Sequence, residues 1–490
     1  MPALGMLDLP TEILLIICDC VEDESLFHLA LLSRRLNYIA LRTYFVRRSV
    51  DFESESGVLC TLNPPAKRDV LSAMQISLSI QSLERVIFSI PHSSSDPAIT
   101  PFFRNTKRLE TFVSRLTSVK KVSLRLGTPE KCASISLRSG DELGAWSAHV
   151  GNALNGLIQC GCQYLSIIDY SAIESGRPGL MNRLVRRVAR RSSSIPLVPA
   201  FPSGPFQLTT LVLDSATFLA SPGIDWVLAA LRQAPVTRLA LAMHRENPHP
   251  WGDTLLRFAT AAPGLTSLFL GEVPLSIETE VLSTLDHFCN LTELHISCER
   301  RLPSSRTRTP APRPCLTLRH VTTLSVASDL AEHLLTPKDA LPELHSLSVT
   351  WRARPGLNLS SLFISLATIA AKLYMYPSVL RLSLDIEARR WRLTAEDILS
   401  VPTELIMQPD IVVARELVRS LTLRLDVEAS DLASIARLAE WFTDICMFSL
   451  FTREKTIPES AITSLLRAVK PTRWLEEIKV NGEGRPLGGA

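Results

Sequence analysis

The residues best suited to metal or nucleophilic chemistry in this chain are its ten cysteines and ten histidines, which are spread over 490 residues. The closest cysteines are Cys18 with Cys20 and Cys160 with Cys162, and one residue separates the members of each pair. Structural zinc sites usually need two pairs with CxxC-type spacing. We therefore interpret the thiols as reduced and mostly buried, and predict no metal site and no disulfide.

The histidines show no zinc-binding pattern either. A helical zinc site needs two histidines at i and i+4 with an acidic residue between them, and no pair fits. We interpret as surface or core side chains the seven nearest one another, His244, His249, His287, His295, His320, His333 and His345. The GxxxxGK(S/T), GxGxxG, HExxH and GxSxG patterns and an EF-hand loop are also missing. The sequence therefore predicts a protein that is not an enzyme and has no catalytic residues and no cofactors.

Composition restricts the partners. Lys and Arg number 52 against 49 Asp and Glu, a net charge of +3, which does not indicate a polyanionic partner such as nucleic acid. The hydrophobic content is 46%, but a membrane span needs about 18 or more consecutive apolar residues. The best candidate, Leu362 to Tyr376, is shorter and contains Lys372. Because the first residues also lack the pattern of a secretory signal, we expect a cytoplasmic or nuclear protein without membrane contact.

The first fifty residues predict three short helices. A helix start is indicated at Asp8 to Glu12, because proline fits the first turn and glutamate complements the helix dipole. A second start is indicated at Asp23 to Ser25, and a third helix should run from about Leu36 to Phe45. Helices of this size bury too little surface to be stable alone, so a partner or an abutting domain is expected.

The segment LPTEILLIICDCVEDESLFHLALLSRRLNYIALRTYF resembles an F-box, the element that docks onto the small adaptor of cullin-RING ubiquitin ligases. Many F-boxes have a cysteine and a tryptophan in the third helix, where this chain has the residues from Leu31 to Leu36. A helical cap for the following domain is the alternative interpretation. The resemblance implies an adaptor-binding surface made by Leu9, Pro10, Ile13, Ile16, Ile17, Leu29 and Leu32.

The rest of the chain repeats the pattern LxxLxL, with Ile, Val, Phe or Cys at some apolar positions, which is the strand signature of leucine-rich repeats. Successive copies are about 23 to 46 residues apart, and amphipathic helices such as the one after Asp225 lie between them. The copies begin at Leu83, Val119, Cys162, Leu208, Val236, Leu265, Leu291, Val321, Leu344, Val379, Val418, Ile445 and Leu475.

These elements predict an α/β fold: an N-terminal three-helix F-box followed by a curved leucine-rich-repeat solenoid with parallel strands inside and helices outside. A doubly wound enzyme is the competing architecture. The predicted domains are an F-box at 7–50, a linker or first cap at 51–78, the solenoid at 79–482 and a disordered tail at 483–490. Two Arg-rich insertions, 183–205 and 300–314, are expected to be exposed loops, and import or phosphorylation roles for them stay open.

Side chains between the buried leucines should line the inner face of the sheet, because successive strand residues alternate sides. One such column is predicted to contain Val212, Ala240, Phe269, His295, Ser325, Ser348, Ser383 and Thr422, and its neighbour to contain Thr210, Arg238, Ser267, Glu293, Thr323, Ser346, Arg381 and Ser420. The group that mixes aromatic and charged character is the predicted target-binding patch, Arg238, Phe269, Glu293 and His295. The F-box resemblance implies a substrate-recognition subunit of a cullin-RING ligase, with the adaptor and an unknown target protein as partners. The alternative is a ligase-independent repeat scaffold.

Overall fold

The fold is known from a computed structural model. It describes residues 6–50, 58–61, 69–90, 100–126, 140–169, 201–202, 204–219, 223–243, 251–274, 276–298, 316–337, 339–352, 359–376, 378–379, 381–388, 397–398, 400–425, 432–452, 463, 465, 475–481 and 483–485. The predicted insertion 300–314, most of the insertion 183–205, His244 and His249 lie outside these residues.

Three helices follow a short 3-10 turn at Met6–Asp8. Pro10 occupies the N-cap position of the first helix. The hydroxyl of Ser33 accepts a hydrogen bond from the N–H of Leu36 at 3.2 Å, which fixes the start of the third helix. The first two helices begin at the predicted signals. The helices are α1 (Thr11–Cys20), α2 (Asp23–Leu32) and α3 (Arg34–Arg47).

The three helices enclose a small apolar core. Leu14 of α1 and Leu26 of α2 are completely buried. Phe27 packs edge-on against Tyr44 of α3, with 5.1 Å between ring centroids and an interplanar angle of 82°. Most apolar residues of α3 are buried in this core, whereas α1 and α2 leave Ile13, Ile16, Leu31 and Leu32 exposed.

The chain forms two compact units, and the first comprises residues 1–242, 246–249 and 257–264. It holds α1 to α3 and six strands, each of which pairs in parallel with the next along the chain. The strands are β1 (Val58–Thr61), β2 (Ser82–Ile90), β3 (Ser118–Leu126), β4 (Tyr164–Asp169), β5 (Thr210–Asp214) and β6 (Arg238–Ala242). The helices between and after them are α4 (Val70–Ile76), α5 (Thr100–Val113), α6 (Gly140–Gln159), α7 (Ala216–Leu219) and α8 (Gly223–Gln233).

The second unit comprises residues 243–245, 250–256 and 265–490, and helix α9 (Trp251–Ala261) contributes residues to both units. Eight strands pair in parallel and in chain order, and a ninth pairs antiparallel with the eighth. The strands are β7 (Ser267–Val273), β8 (Glu293–Cys298), β9 (Thr323–Ala327), β10 (Ser346–Arg352), β11 (Arg381–Ala388), β12 (Val418–Leu425), β13 (Met447–Phe451), β14 (Glu477–Val480) and β15 (Glu483–Arg485). The helices are α10 (Glu278–Thr284), α11 (Ser328–Leu334), α12 (Leu359–Leu373), α13 (Thr403–Ile406), α14 (Pro409–Leu417) and α15 (Leu432–Glu440), with a 3-10 turn at Leu285–His287.

Burial along the strands follows the LxxLxL pattern. In β10, Leu347, Val349 and Trp351 are buried, and the residues between them are partly exposed. Thirteen of the described strands begin within two residues of a predicted motif start. The predicted fold class, three N-terminal helices followed by repeated parallel strand and helix units, is confirmed. Strand order within each unit follows the chain, whereas a doubly wound sheet reverses its order at a switch point.

Two strands were not predicted. β1 is four residues long and β15 is three, so neither contains a full LxxLxL motif. Asn481, with φ of 51°, follows β14 in the left-handed region that suits a tight turn. β15 then returns antiparallel to β14 and includes the first residues of the predicted tail at 483–490.

The residues of the predicted columns lie side by side on most of the paired strands, but not on β11 and β12. Phe269, His295, Ser325, Ser348 and Ser383 are register neighbours in turn, as expected. The pairing of β11 with β12 contains an irregularity between Leu382 and Ser383. Ser383 lies beside Ser420, and Thr422 lies beside Asp385. The placement of Thr422 in the same column as Ser383 was therefore wrong, because Leu384 pairs with Leu421 and β12 lies two residues out of the register that the motifs predict.

The described part of the chain has no helix that is both long and apolar enough to cross a bilayer. The apolar segment from Leu362 to Tyr376 forms most of α12 and the turn after it. Leu362, Phe363 and Leu366 of this helix are buried against the protein. The apolar side chains of this segment therefore pack within the protein.

Candidate binding surfaces

The apolar side chains that α1 and α2 do not bury form an exposed surface, here called the helical surface. Ile16 is 58% exposed and Leu32 is 68% exposed, although both are large aliphatic residues. Ile13 and Pro10 are also exposed, and the remaining members are partly exposed. The helical surface contains all seven residues of the predicted adaptor site, Leu9, Pro10, Ile13, Ile16, Ile17, Leu29 and Leu32.

The helical surface exists because α1 has more apolar residues than its inner side can bury. Only Leu14 and Cys18 of this helix are buried. Sequence reasoning missed Leu7, which is 49% exposed, and Leu31, which is 67% exposed. Both could have been identified in the sequence as apolar residues that lie outside the buried stripe of the helices. Large exposed apolar side chains in such number on a small group of helices are candidates for a contact with another molecule.

Arg47 at the end of α3 holds the carboxyl end of α1. Its Nη1 donates to the carbonyl oxygen of Val21 at 2.7 Å, and its Nη2 donates to those of Cys18 at 2.8 Å and Asp19 at 2.9 Å. The last carbonyls of a helix have no partner within the helix and attract cations. One guanidinium group therefore satisfies three of these acceptors and fixes the angle between α1 and α3.

Phe269 and His295 form the centre of the predicted target-binding patch. They are register neighbours on β7 and β8, and their ring centroids are 5.9 Å apart at an interplanar angle of 34°. Phe269 is 45% exposed. Glu293 is the register neighbour of Ser267 on the same two strands. The structure therefore brings Phe269, Glu293 and His295 together in the second compact unit, whereas Arg238 belongs to β6 of the first.

A second group on the inner face of the second unit was not predicted. Nε of Arg352 lies 2.9 Å from Oε2 of Glu387, and Nε of Arg424 lies 3.1 Å from Oδ2 of Asp385. The guanidinium of Arg424 also lies over the ring of Phe451, 4.7 Å from its centroid. In the sequence, this group is indicated by acidic and basic residues toward the ends of β10, β11 and β12, after the positions that form the predicted columns.

The carboxyl group of Asp385 is incompletely hydrogen-bonded within this group. Burial raises the pKa of its carboxyl group, while the neighbouring Arg424 opposes that change. Its Oδ1 atom is buried and has no hydrogen-bond partner. The carboxylate is therefore stabilised through one oxygen only, and the ion pairs of this group serve to order the ends of β10 to β12.

Two of the described thiols, those of Cys60 and Cys162, are poorly suited to nucleophilic chemistry. Burial raises the pKa of both Cys60 and Cys162 to about 12, so the reactive thiolate is disfavoured at neutral pH. Among the described residues, no group of three or more His, Cys, Asp or Glu side chains is placed to hold a metal ion.

Comparison with protein families matches residues 6–48 with the F-box domain. No curated protein matches the chain. Among solved structures, a similar chain is a Bacteroides fragilis protein whose crystal structure was a structural-genomics target. It is 11% identical, and the similarity covers 62% of this chain and 82% of that protein with a TM-score of 0.34. The helices that carry the exposed apolar surface are thus an F-box domain at residues 6–48.

Proposed function

We propose that this protein is a substrate-recognition subunit of a cullin-RING ubiquitin ligase. The F-box binds the ligase adaptor, and the parallel strand and helix units, which we interpret as leucine-rich repeats, bind the target protein. Ubiquitin transfer is performed by other subunits of the complex, so no residue of this chain is assigned a catalytic role. We expect the protein to act in the cytoplasm, the nucleus or both.

The exposed helical surface is the observation that carries this proposal. Adaptor binding needs apolar side chains that the domain itself does not bury, and Ile16 and Leu32 are of this kind. Burial of one such side chain in an interface contributes at most about 1.5–3 kcal/mol. We assign the adaptor contact to the predicted set, Leu9, Pro10, Ile13, Ile16, Ile17, Leu29 and Leu32.

The target contact is assigned to the patch around Phe269 and His295. Interface energy is often concentrated in aromatic and arginine residues near the centre of a contact. Phe269 supplies exposed apolar area, and Glu293 and His295 supply polar groups beside it. Arg238 of the first unit is a separate proposed target contact, as a planar hydrogen-bond donor.

Capture of the purified adaptor tests the ligase assignment. The Ile16→Asp variant should lose adaptor binding by about 2 kcal/mol or more, because a charge is placed in the apolar contact. Ile364→Asp is a matched control, since Ile364 is a helical isoleucine of α12 with 56% exposure against 58% for Ile16. A triple variant with Leu9→Ala, Pro10→Ala and Ile17→Asp should behave like Ile16→Asp.

This assay distinguishes an adaptor-binding F-box from helices that only cap the repeats. If the helices only cap the repeats in a ligase-independent scaffold, neither wild-type protein nor the Ile364→Asp variant will capture the adaptor. If the F-box is functional, both will capture it equally and Ile16→Asp will not. Circular dichroism melting of all variants shows whether the loss comes from unfolding.

A further inference from the structure

A cavity in the second compact unit lies between the turn that leads into β8 and the segment that leads into β9. Its volume is about 440 Å³, within the range of sites that bind small ligands. This is the space of about fifteen water molecules and exceeds what a single leucine residue fills. We call this site the β8–β9 cavity. Its floor is apolar and consists of the buried side chains of Leu285, Phe288, Leu291, Leu318 and Val321.

The rim of the β8–β9 cavity carries one cation and one carboxylate. Asp286 of the 3-10 turn and Arg319 of the segment before β9 both line the cavity, and both are exposed. Within the described part of the chain, the guanidinium group of Arg319 has no hydrogen-bond or ion-pair partner. A planar guanidinium group binds a carboxylate with two parallel hydrogen bonds. Arg319 is therefore available to a carboxylate ligand.

Hydrogen bonds hold the two sides of the cavity together. Oδ1 of Asp286 accepts a bond from the backbone N–H of Thr317 at 3.3 Å, which joins the turn before β8 to the segment before β9. The backbone N–H of Leu318 donates to the carbonyl oxygen of Ala340 at 2.7 Å. The cavity is therefore formed before a ligand enters, and binding loses less conformational entropy than in a flexible site.

The second oxygen of Asp286 completes the polar part of the site. Among the described residues, no side chain or backbone N–H donates to Oδ2 of this carboxylate. The rim thus offers an acceptor, Oδ2 of Asp286, and a planar donor, Arg319, above an apolar floor. A ligand that uses all three features has a carboxylate, an N–H group and an apolar side chain close together.

We propose that the β8–β9 cavity binds the carboxyl-terminal end of the target protein, with an apolar last residue. The α-carboxylate of that residue meets Arg319, its backbone N–H donates to Asp286, and its side chain enters the floor. Capture of a terminal carboxylate is a recurring mode of peptide recognition. The inference rests on the proposed function, in which the repeats recognise the target, and it adds the chemical class of the segment recognised.

Other ligands match the cavity less well. A phosphate group carries more negative charge than a carboxylate, and the carboxylate of Asp286 on the same rim repels it. Nucleic acid binding needs several cations and exposed aromatic rings, whereas the phenyl ring of Phe288 is buried in the floor. His320 also lines the rim, but its Nδ1 lies 3.4 Å from Oε2 of Glu343, so its charge is compensated within the chain when it is protonated.

Fluorescence anisotropy of the full-length protein with labelled peptides tests the proposal. The probes are glycine-serine peptides of equal length, labelled at the amino end, whose last two residues are both leucine, isoleucine, valine or phenylalanine. Each is compared with the same peptide bearing a terminal amide, and a peptide that ends in two serines tests the apolar floor. We expect at least one apolar free-acid peptide to bind, and its amide and the serine peptide to bind about tenfold more weakly or less.

A matched pair of arginine substitutions separates the cavity from general electrostatics. Arg319→Gln removes the cation of the rim, and Arg437→Gln makes the same change at an exposed position of α15 in the same unit. Only Arg319→Gln should weaken binding of the free-acid peptide, by about tenfold or more, and it should also remove the preference for the free acid over the amide. Circular dichroism melting should show both variants folded, because both arginines are exposed.

Three results would overturn the proposal: no binding of any free-acid peptide, equal binding of acids and amides, or equal losses in the two arginine variants. N-acetyl-leucine serves as a competitor, because it has the carboxylate, the N–H and the side chain of a last residue but no preceding side chain. We expect it to compete about tenfold more weakly than the unlabelled peptide, since the cavity is larger than one residue. Equal competition would identify a small apolar acid as the ligand and refute the peptide assignment.

Adaptor capture measured on the same proteins keeps the two proposals apart. Arg319→Gln should retain adaptor binding, because Arg319 lies outside the F-box. Failure of adaptor capture by the wild-type protein with intact peptide binding would refute the ligase role and leave the β8–β9 cavity as a peptide site. Intact adaptor capture without peptide binding would refute the cavity assignment alone.

Discussion

The backbone N–H of Leu78 donates a hydrogen bond to Oδ1 of Asn37 at 3.0 Å. In the other direction, Nδ2 of Asn37 donates to the carbonyl oxygen of Ile76 at 2.9 Å and to that of Ala30 at 3.0 Å. Asn37 is buried within α3 with 3% exposure. One amide therefore joins α2 and α3 of the F-box to the segment that follows α4 and leads into β2.

Asn37→Ala should lower the free energy of unfolding by about 1–3 kcal/mol, because it leaves buried backbone groups without partners. Urea unfolding followed by circular dichroism measures this change. Asn152→Ala is the control, since Asn152 is exposed on α6 and its amide bonds the exposed side of Glu110. The control should change stability by less than about 0.5 kcal/mol. Equal effects of the two substitutions would show that the Asn37 bonds contribute little.

Arg47→Lys should destabilise the F-box although the charge is kept. A lysine ammonium cannot reproduce the planar fork that reaches the carbonyl oxygens of Val21, Cys18 and Asp19 together. We expect a loss of about 1 kcal/mol or more in unfolding free energy, with weaker adaptor capture as a consequence of a displaced α1. Arg42→Lys, at an exposed position of the same helix, is the comparison. A variant as stable as this control would argue against the capping role.

Asp385 predicts a dependence of stability on pH. Burial raises the pKa of its carboxyl group above the ordinary value of 3.8. At pH values between the unfolded and the folded pKa, the folded state therefore keeps a proton that the unfolded state has lost. The contribution of Asp385 to stability is therefore present below the unfolded pKa and is lost as the pH rises through the folded pKa. Asp385→Asn cannot ionise, and its stability relative to wild type should increase as the pH rises through this window.

Urea unfolding of wild type and Asp385→Asn over a series of pH values measures that difference. The other carboxyl groups are common to both proteins, so the difference isolates Asp385 and the groups facing it, Arg424, Glu387 and Arg352. A relative stability that decreases with rising pH would mean that the ion pair with Arg424 outweighs burial.

The sequence predicted the strands well because the LxxLxL motif records burial directly. The three apolar positions of the motif at Leu344 are the buried Leu344, Leu347 and Val349 of the structure. The motif does not show which residues of two neighbouring strands lie side by side, so the offset that places Leu384 beside Leu421 was not predictable from it. Short strands such as β1 bury too few residues to produce a pattern.

The binding surfaces were predicted in part. Family resemblance selected seven residues of the F-box, and the structure places all of them outside its core, with Leu32 68% exposed. Whether these residues contact the adaptor stays a prediction. The exposed Leu31 was missed because helical periodicity alone does not show that the end of α2 leaves both Leu31 and Leu32 exposed. Ion pairs between neighbouring strands that are far apart in the sequence, such as Arg424 with Asp385, depend on register and needed the structure.

Phe269→Ala should weaken capture of the target by about 1 kcal/mol or more without changing adaptor binding. The substitution removes exposed aromatic area and the contact with His295, whose ring centroid is 5.9 Å away. Arg238→Ala should weaken capture to a similar extent, because a planar donor is lost. The target would first be identified by proximity labelling under proteasome inhibition, and its capture by each variant then compared by titrated co-precipitation. Thr422→Ala on β12 is the control, since Thr422 is partly exposed on the same face of the second unit. A loss confined to Thr422→Ala would refute the patch around Phe269 and place target binding on the later strands.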